Sequence, residues 1–161
     1  MINKTYVVDN CTLVYFYSDL KSSHILYLLF PAGLKIVPEV KSELLKSAKK
    51  KGFYNEVSSD IKRGFLQIEK VDLYDQRVKD ILCKFDKTLD TGERFSVALA
   101  LTRGYTLLTD DWNAQQVIMF SLVRVICKNT TWILKRAQKK GFISGRGLKR
   151  LKKKLYNAKR R

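Results

Sequence analysis

Short runs of β-branched and aliphatic residues alternate along this chain with longer stretches whose apolar positions recur every three or four residues. TYVVD opens the series as an apolar strand ending on Asp9. From Cys11 to Phe30 there is no strand alternation, and the stretch suits one or two helices with a break near Ser18 and Asp19. LKIVP makes a second strand. Pro38 then fits the first turn of a helix, where its missing N–H costs nothing. That helix sets Val40, Leu44 and Ala48 on one side, carries a basic end and stops at Gly52. FYNEVSSDIKRG reads as a loop and FLQIEKVD as a third strand. Val78, Ile81, Leu82 and Phe85 follow helical spacing, and Asp90-Thr91-Gly92-Glu93 has the spacing of a capping box at the next helix start. Past Gly104, YTLLT is a short strand that ends on Asp110 and Asp111. WNAQQVIMF then suggests a helix, LVRVIC a fifth strand, and TTWILKRAQKKG a helix closed by Gly141. The tail puts Leu148, Leu151 and Leu155 on one face of a helix otherwise covered in charge.

Strands alternating with helices predict an α/β protein, a three-layer α/β/α sandwich around a central parallel sheet. With 161 residues, 45% of them hydrophobic, the chain can bury one full core. No apolar run approaches the roughly 20 residues that span a bilayer. The amino-terminal stretch also lacks the apolar region and cleavage site of a signal peptide, so a cytoplasmic protein with no membrane partner is expected. Cys11, Cys83 and Cys127 lie far apart without metal-binding or disulfide spacing, which suggests buried free thiols. His24 is the only histidine and sits in an apolar helical stretch, so histidine-based acid–base catalysis has little to rest on.

Charge divides the chain sharply. Up to Asp111, seventeen Lys/Arg stand against all fifteen acids, a balance of +2. From Trp112 onward there are fifteen Lys/Arg and no acid, a balance of +15. Cations without interleaved counter-charge point to a polyanionic partner, RNA or DNA, or an acidic protein, beyond what a merely solvated lysine surface explains.

Against that background the acids are conspicuous by position. Asp9 closes the first strand, Glu43 follows the second, Glu93 opens the helix before the fourth, and Asp110 and Asp111 end that strand. In a doubly wound sheet such ends share one edge. Each acid also has a simpler role open to it: Asp9 and Glu93 as helix caps, Glu43 as a solvated helix position. Gathered together, however, carboxylates repel unless a cation neutralises them. Hard oxygen donors select Mg²⁺ or Mn²⁺, and such an ion on a phosphodiester activates water and stabilises the leaving oxygen.

The pattern resembles the PIN domain, in particular VapC-like ribonuclease toxins and a related group of prokaryotic PIN proteins. VVDNCTLVYFY is similar to that family's opening strand, Asp and helix start. IVPEVKSEL resembles its strand–Pro–Val–x–x–Glu helix, which marks Glu43 rather than Glu39. TGERFSVALALTRGYTLLTDDWNAQ is similar to its Gly-Glu helix followed by a strand ending in Asp, and TTWILKRAQKKGFIS to a carboxy-terminal Thr–helix–Ala-x-x-x-Gly-x-Ile segment. Asn129-Thr130 stands where the related group has Gly-Thr.

The resemblance implies a metal-dependent endoribonuclease, often homodimeric and often held in check by an antitoxin protein. It would occupy residues 1–145, with 146–161 as a basic tail. It implies Asp9, Glu43, Glu93 and either Asp110 or Asp111 as catalytic Mg²⁺ (or Mn²⁺) ligands. A Thr-x-Asp alignment favours Asp111 and an Asp-Asp alignment Asp110. Asn10, Thr109, Asn113 and Thr130 are candidate supporting or phosphate contacts. The main alternative is an RNA-binding or ribosome-associated protein of the same fold without turnover. A phospho-receiver domain is a weaker one, because only Asp9 follows the first strand.

Overall fold

In the computed structural model, which describes residues 4–120 and 123–161, five short strands form one parallel sheet. They are β1 (Tyr6–Val8), β2 (Leu34–Ile36), β3 (Leu66–Ile68), β4 (Thr106–Leu108) and β5 (Cys127–Lys128), in the order β3-β2-β1-β4-β5. Tyr6, Val7 and Val8 stand opposite Thr106, Leu107 and Leu108, and Leu34, Lys35 and Ile36 opposite Leu66, Gln67 and Ile68. Both central strands, β1 and β4, are buried at every position. Apart from Thr106 their residues are hydrophobic, as expected where helices cover both faces of a parallel sheet.

The chain leaves β1 into α1 (Asn10–Val14), which continues as a π-helical turn (Tyr15–Asp19) before α2 (Ser23–Leu29). The break falls where the sequence places it. α3 (Pro38–Lys51) starts on Pro38 and ends at Gly52, whose φ of 82° suits the residue that has no Cβ. It is followed by α4 (Tyr54–Lys62), α5 (Gln76–Lys84), α6 (Thr91–Arg103), α7 (Trp112–Phe120), α8 (Thr130–Lys139) and α9 (Gly145–Lys159). α3 packs on α4 and α6, and α6 on α5; α8 packs on α2 and α9, and α9 on the π-helical turn. α1 also packs on α3, and with helices around the parallel sheet the fold is a three-layer α/β/α sandwich. Val40, Leu44 and Ala48 of α3 and Leu151 and Leu155 of α9 are buried as the periodicity predicts.

Three expectations need correction. FYNEVSSDIKRG is not a loop: α4 forms there, because Phe53, Val57 and Ile61 make an apolar face that the polar residues between them disguise. FLQIEKVD supplies only Leu66–Ile68, and LVRVIC only its last position plus Lys128; Leu122 lies outside the described residues. The cysteines are free, but Cys83 is exposed on the outer side of α5, and Cys11 and Cys127 are half-buried. Among the described residues, no helix is long and apolar enough to cross a membrane.

Candidate metal centre

The chain builds the sheet outward from β1 in one direction, then returns to add β4 and β5 on the other side. The carboxyl ends of β1 and β4 therefore flank the switch point, where open α/β sheets form their ligand crevice. Asp9 and the Thr109–Asp111 segment are delivered there.

Asp9 is fixed by the sheet itself, since its N–H donates to the Leu108 carbonyl at 2.9 Å and extends the β1–β4 pairing. Its carboxylate accepts from Asn10 N (2.7 Å), Thr109 Oγ1 (3.2 Å) and Cys11 Sγ (3.3 Å). All three donors are neutral. Burial, with a contribution from the Asp90 charge, pushes its pKa up to about 6 against these hydrogen bonds. Thr109, 1% exposed, also accepts from the Asp111 N–H at 3.1 Å, so one hydroxyl ties the two strand ends together.

Glu93 and Asp90 close the capping box at the start of α6: Glu93 N donates to Asp90 Oδ1 at 2.8 Å, and Asp90 N to Glu93 Oε2 at 3.1 Å. That local role does not exhaust Glu93. Burial first, then the charges of Asp9, Asp90 and Asp111, drive its pKa to about 8. Glu43 reaches the same place from α3, where burial and the charges of Asp90 and Asp9 raise it to about 7; the Gly92 backbone and Lys46 offset this only in part. Gly92 explains how the two helices come so close. A Cβ there would lie 2.8 Å from Glu43 Oε1, so any side chain at this position would push that carboxylate aside.

The adjacent aspartates separate, as consecutive side chains leaving a strand do. Asp110 turns to Thr12 Oγ1 (3.1 Å), Thr130 N (3.1 Å), the Thr130 hydroxyl and Lys159 Nζ (2.8 Å), and its side chain is 1% exposed. Asp111 accepts from Ala114 N at 2.7 Å, capping α7, and its charge bears on Glu93. Asp9, Glu93, Ser96, Thr109 and Ala114 line one small cavity. Of the supporting candidates, Thr109 holds Asp9, Thr130 holds Asp110, Asn10 donates to Asp9 through its backbone, and Asn113 is exposed on α7. Asn129 caps α8 by accepting from Trp132 N at 2.9 Å.

Two participants escape inspection of the sequence. Asp90, there only a helix cap, raises the proton affinity of Asp9, Glu43 and Glu93 together. Its place beside the Gly-Glu pair was the available signal. Lys159 reaches Asp110 across 49 positions of sequence, with no local signal at all. Among the described residues, no three His, Cys, Asp or Glu side chains stand close enough to cage an ion. The donors are nonetheless all carboxylate oxygens with unmet charge, the chemistry that suits a hard divalent cation.

A parallel sheet in this order, with acids at the β1/β4 switch point, defines the PIN-like class of α/β/α folds. Residues 5–161 match the family model described as PIN domain, and the chain belongs to that family. Its fold is similar to a chain in the crystal structure of VapBC2 from Rickettsia felis bound to a DNA fragment from their promoter. That match has a TM-score of 0.52 at 17% identity, covering 78% of this chain and 98% of the other. No curated protein matches the chain. The receiver alternative falls away, since β3 is separated from β1 by β2 and Asp72 beyond it is exposed.

Proposed function

We propose that this PIN-domain protein is an Mg²⁺- or Mn²⁺-dependent endoribonuclease, the toxin of a toxin–antitoxin pair. One observation carries the reading: Asp9, Glu43 and Glu93 converge on the sheet's switch point with proton affinities raised by burial and by other acids, and among the described residues the Asp9 carboxylate accepts from neutral donors alone. A divalent ion bound there would stabilise charge on a phosphodiester and activate the attacking water. Asp9, Glu43, Glu93 and Asp111 would hold it, with Thr109 orienting Asp9 and Asp90 adding negative potential. Asp110 would keep the β4 end in place rather than face the ion.

The substrate would be RNA, drawn by the basic segment after Asp111. Residues 1–145 would form the nuclease domain, and 146–161 a basic tail whose helix packs back on it. Trp112, Met119 and Phe120 of α7 and Ile126 before β5 are exposed large apolar residues, a surface suited to an antitoxin or a second copy of the chain. The test is cleavage of a mixed RNA pool with Mg²⁺ or Mn²⁺ and with excess EDTA. Cleavage with the ions and none in EDTA is expected; undiminished cleavage in EDTA would contradict the proposal.

A further inference from the structure

Beside the acid cluster runs an open groove of about 690 Å³ that none of its carboxylates explains. Asn10 and Cys11 form its near end, directly after Asp9, so it opens next to the site. One wall is the face of α1 and the π-helical turn that carries Val14 and Tyr15. A second is the end of α3, with Ser47 and Lys51, and the third is Ala158 at the end of α9 together with Arg161 just beyond it. Ser18 and Asp19 of the π-helical turn also line it. Neither Lys51 nor Arg161 has an ion-pair partner among the described residues. Their neighbours on α9 are committed elsewhere: Lys159 to Asp110, and Arg160 to the Tyr156 hydroxyl at 3.1 Å.

The seating of α9 makes this groove part of the centre. Leu151 and Leu155 bury its apolar stripe, and Lys159 Nζ bonds Asp110 at the end of β4 while lying 5.8 Å from the centre of the Tyr15 ring. The helix is thereby fixed at both the core and the site, with its last cation left over the groove. An apolar and aromatic wall facing two free cations is the combination that tracks single-stranded nucleic acid, bases on the one and phosphates on the other.

We infer that the groove between the π-helical turn, α3 and α9 binds the single-stranded RNA flanking the cleaved phosphate, with Lys51 and Arg161 contacting its backbone. This rests on the ribonuclease proposal for the identity of the polyanion, yet it concerns binding, which can be measured without turnover. The experiment is fluorescence anisotropy of a labelled single-stranded RNA against the full chain in EDTA, over a series of salt concentrations. Lys51→Ala/Arg161→Ala is compared with Lys139→Ala/Lys140→Ala, an equal loss of charge at the far end of α8.

The groove pair is expected to weaken binding about tenfold and to lower the log–log salt slope by about 1.4, the share of two phosphates on a single strand. The α8 pair should change affinity less than about twofold, and Lys51→Arg/Arg161→Lys should keep it. Equal losses from both pairs would overturn the inference, as would an acidic peptide binding the groove when RNA does not. RNA held in the groove by a chain that never cuts would sink the nuclease proposal and leave this one standing.

Discussion

Asp9 and Asp60 are the same residue type at nearly the same burial, 4% and 2% exposed, on opposite edges of one sheet. Asp60 ends α4, and its carbonyl accepts from Phe65 N at 2.9 Å just before β3 begins. Its carboxylate accepts from the Tyr17 and Tyr27 hydroxyls and from Arg63 Nε and Nη2, the last at 2.7 Å. The Arg63 guanidinium in turn lies over the Tyr27 ring. Asp60 is neutralised where it stands, as a buried acid with a purely structural role must be. Among the described residues Asp9 receives neutral donors only, and the charge that bears most on it is another carboxylate, Asp90. Under the proposed function, burial alone does not mark a functional acid; burial without counter-charge does. Asp110 sharpens the rule from within the site, because it lies beside Asp111 yet is settled like Asp60, by Lys159.

The contrast is broken most severely by exchanging the two roles. Asp9→Asn is expected to lower RNA cleavage by more than about a hundredfold, beyond the 10–100-fold typical of residues that only support ligands. Its unfolding free energy should hold or rise, because the variant removes an uncompensated charge. Asp60→Asn is expected to do the reverse. It should cost about 3 kcal/mol in chemical denaturation by stripping a charged partner from two tyrosines and an arginine, with divalent-ion affinity unchanged. An Asp60 variant that lost metal binding with its fold intact would undo the comparison.

pH probes the same difference without mutation. The folded pKa values of Asp9 (about 6), Glu43 (about 7) and Glu93 (about 8) lie above their ordinary ones. Below pH ~4 both folded and unfolded chains hold these protons, so nothing is lost. As pH rises from there toward 8, the unfolded chain releases protons that the folded one retains, and stability falls. Asp9 contributes up to about 3 kcal/mol of that fall at ~1.4 kcal/mol per pKa unit. Glu43 and Glu93 are partly exposed and add less than their shifts suggest. Denaturation in EDTA at pH 5 and pH 8 should show the decline, and Asp9→Asn should flatten it. Gly92→Ala is gentler still: its methyl displaces the flexible end of Glu43, so ion affinity should drop while the melting temperature barely moves. A normal ion titration of that variant would show that the α3–α6 approach is immaterial to the site.

Much of this was legible in the sequence, for physical reasons that also explain the gaps. Asp9 and Asp110–Asp111 announce themselves because β-branched runs end on them, and Glu93 because capping-box spacing fixes a helix start. α4 was hidden because its apolar positions are three among many polar ones. The different surroundings of Asp110 and Asp111 were closed to inspection because only the fold brings Thr12, Thr130 and Lys159 to the Asp110 carboxylate. Asp90 was seen as a cap, and it is one; its second effect arises only when Gly92 lets α3 approach.

The claim that the β1/β4 edge carries an unmet demand for a cation is tested most directly by melting the protein with and without Mn²⁺ at pH 8. Binding to the folded state alone must raise its stability. Mn²⁺ should lift the melting temperature of the natural chain by several degrees, and of the Asp60→Asn chain equally from its lower start, but leave Asp9→Asn where it is. An equal shift in Asp9→Asn, or no shift in the natural chain, would contradict the account.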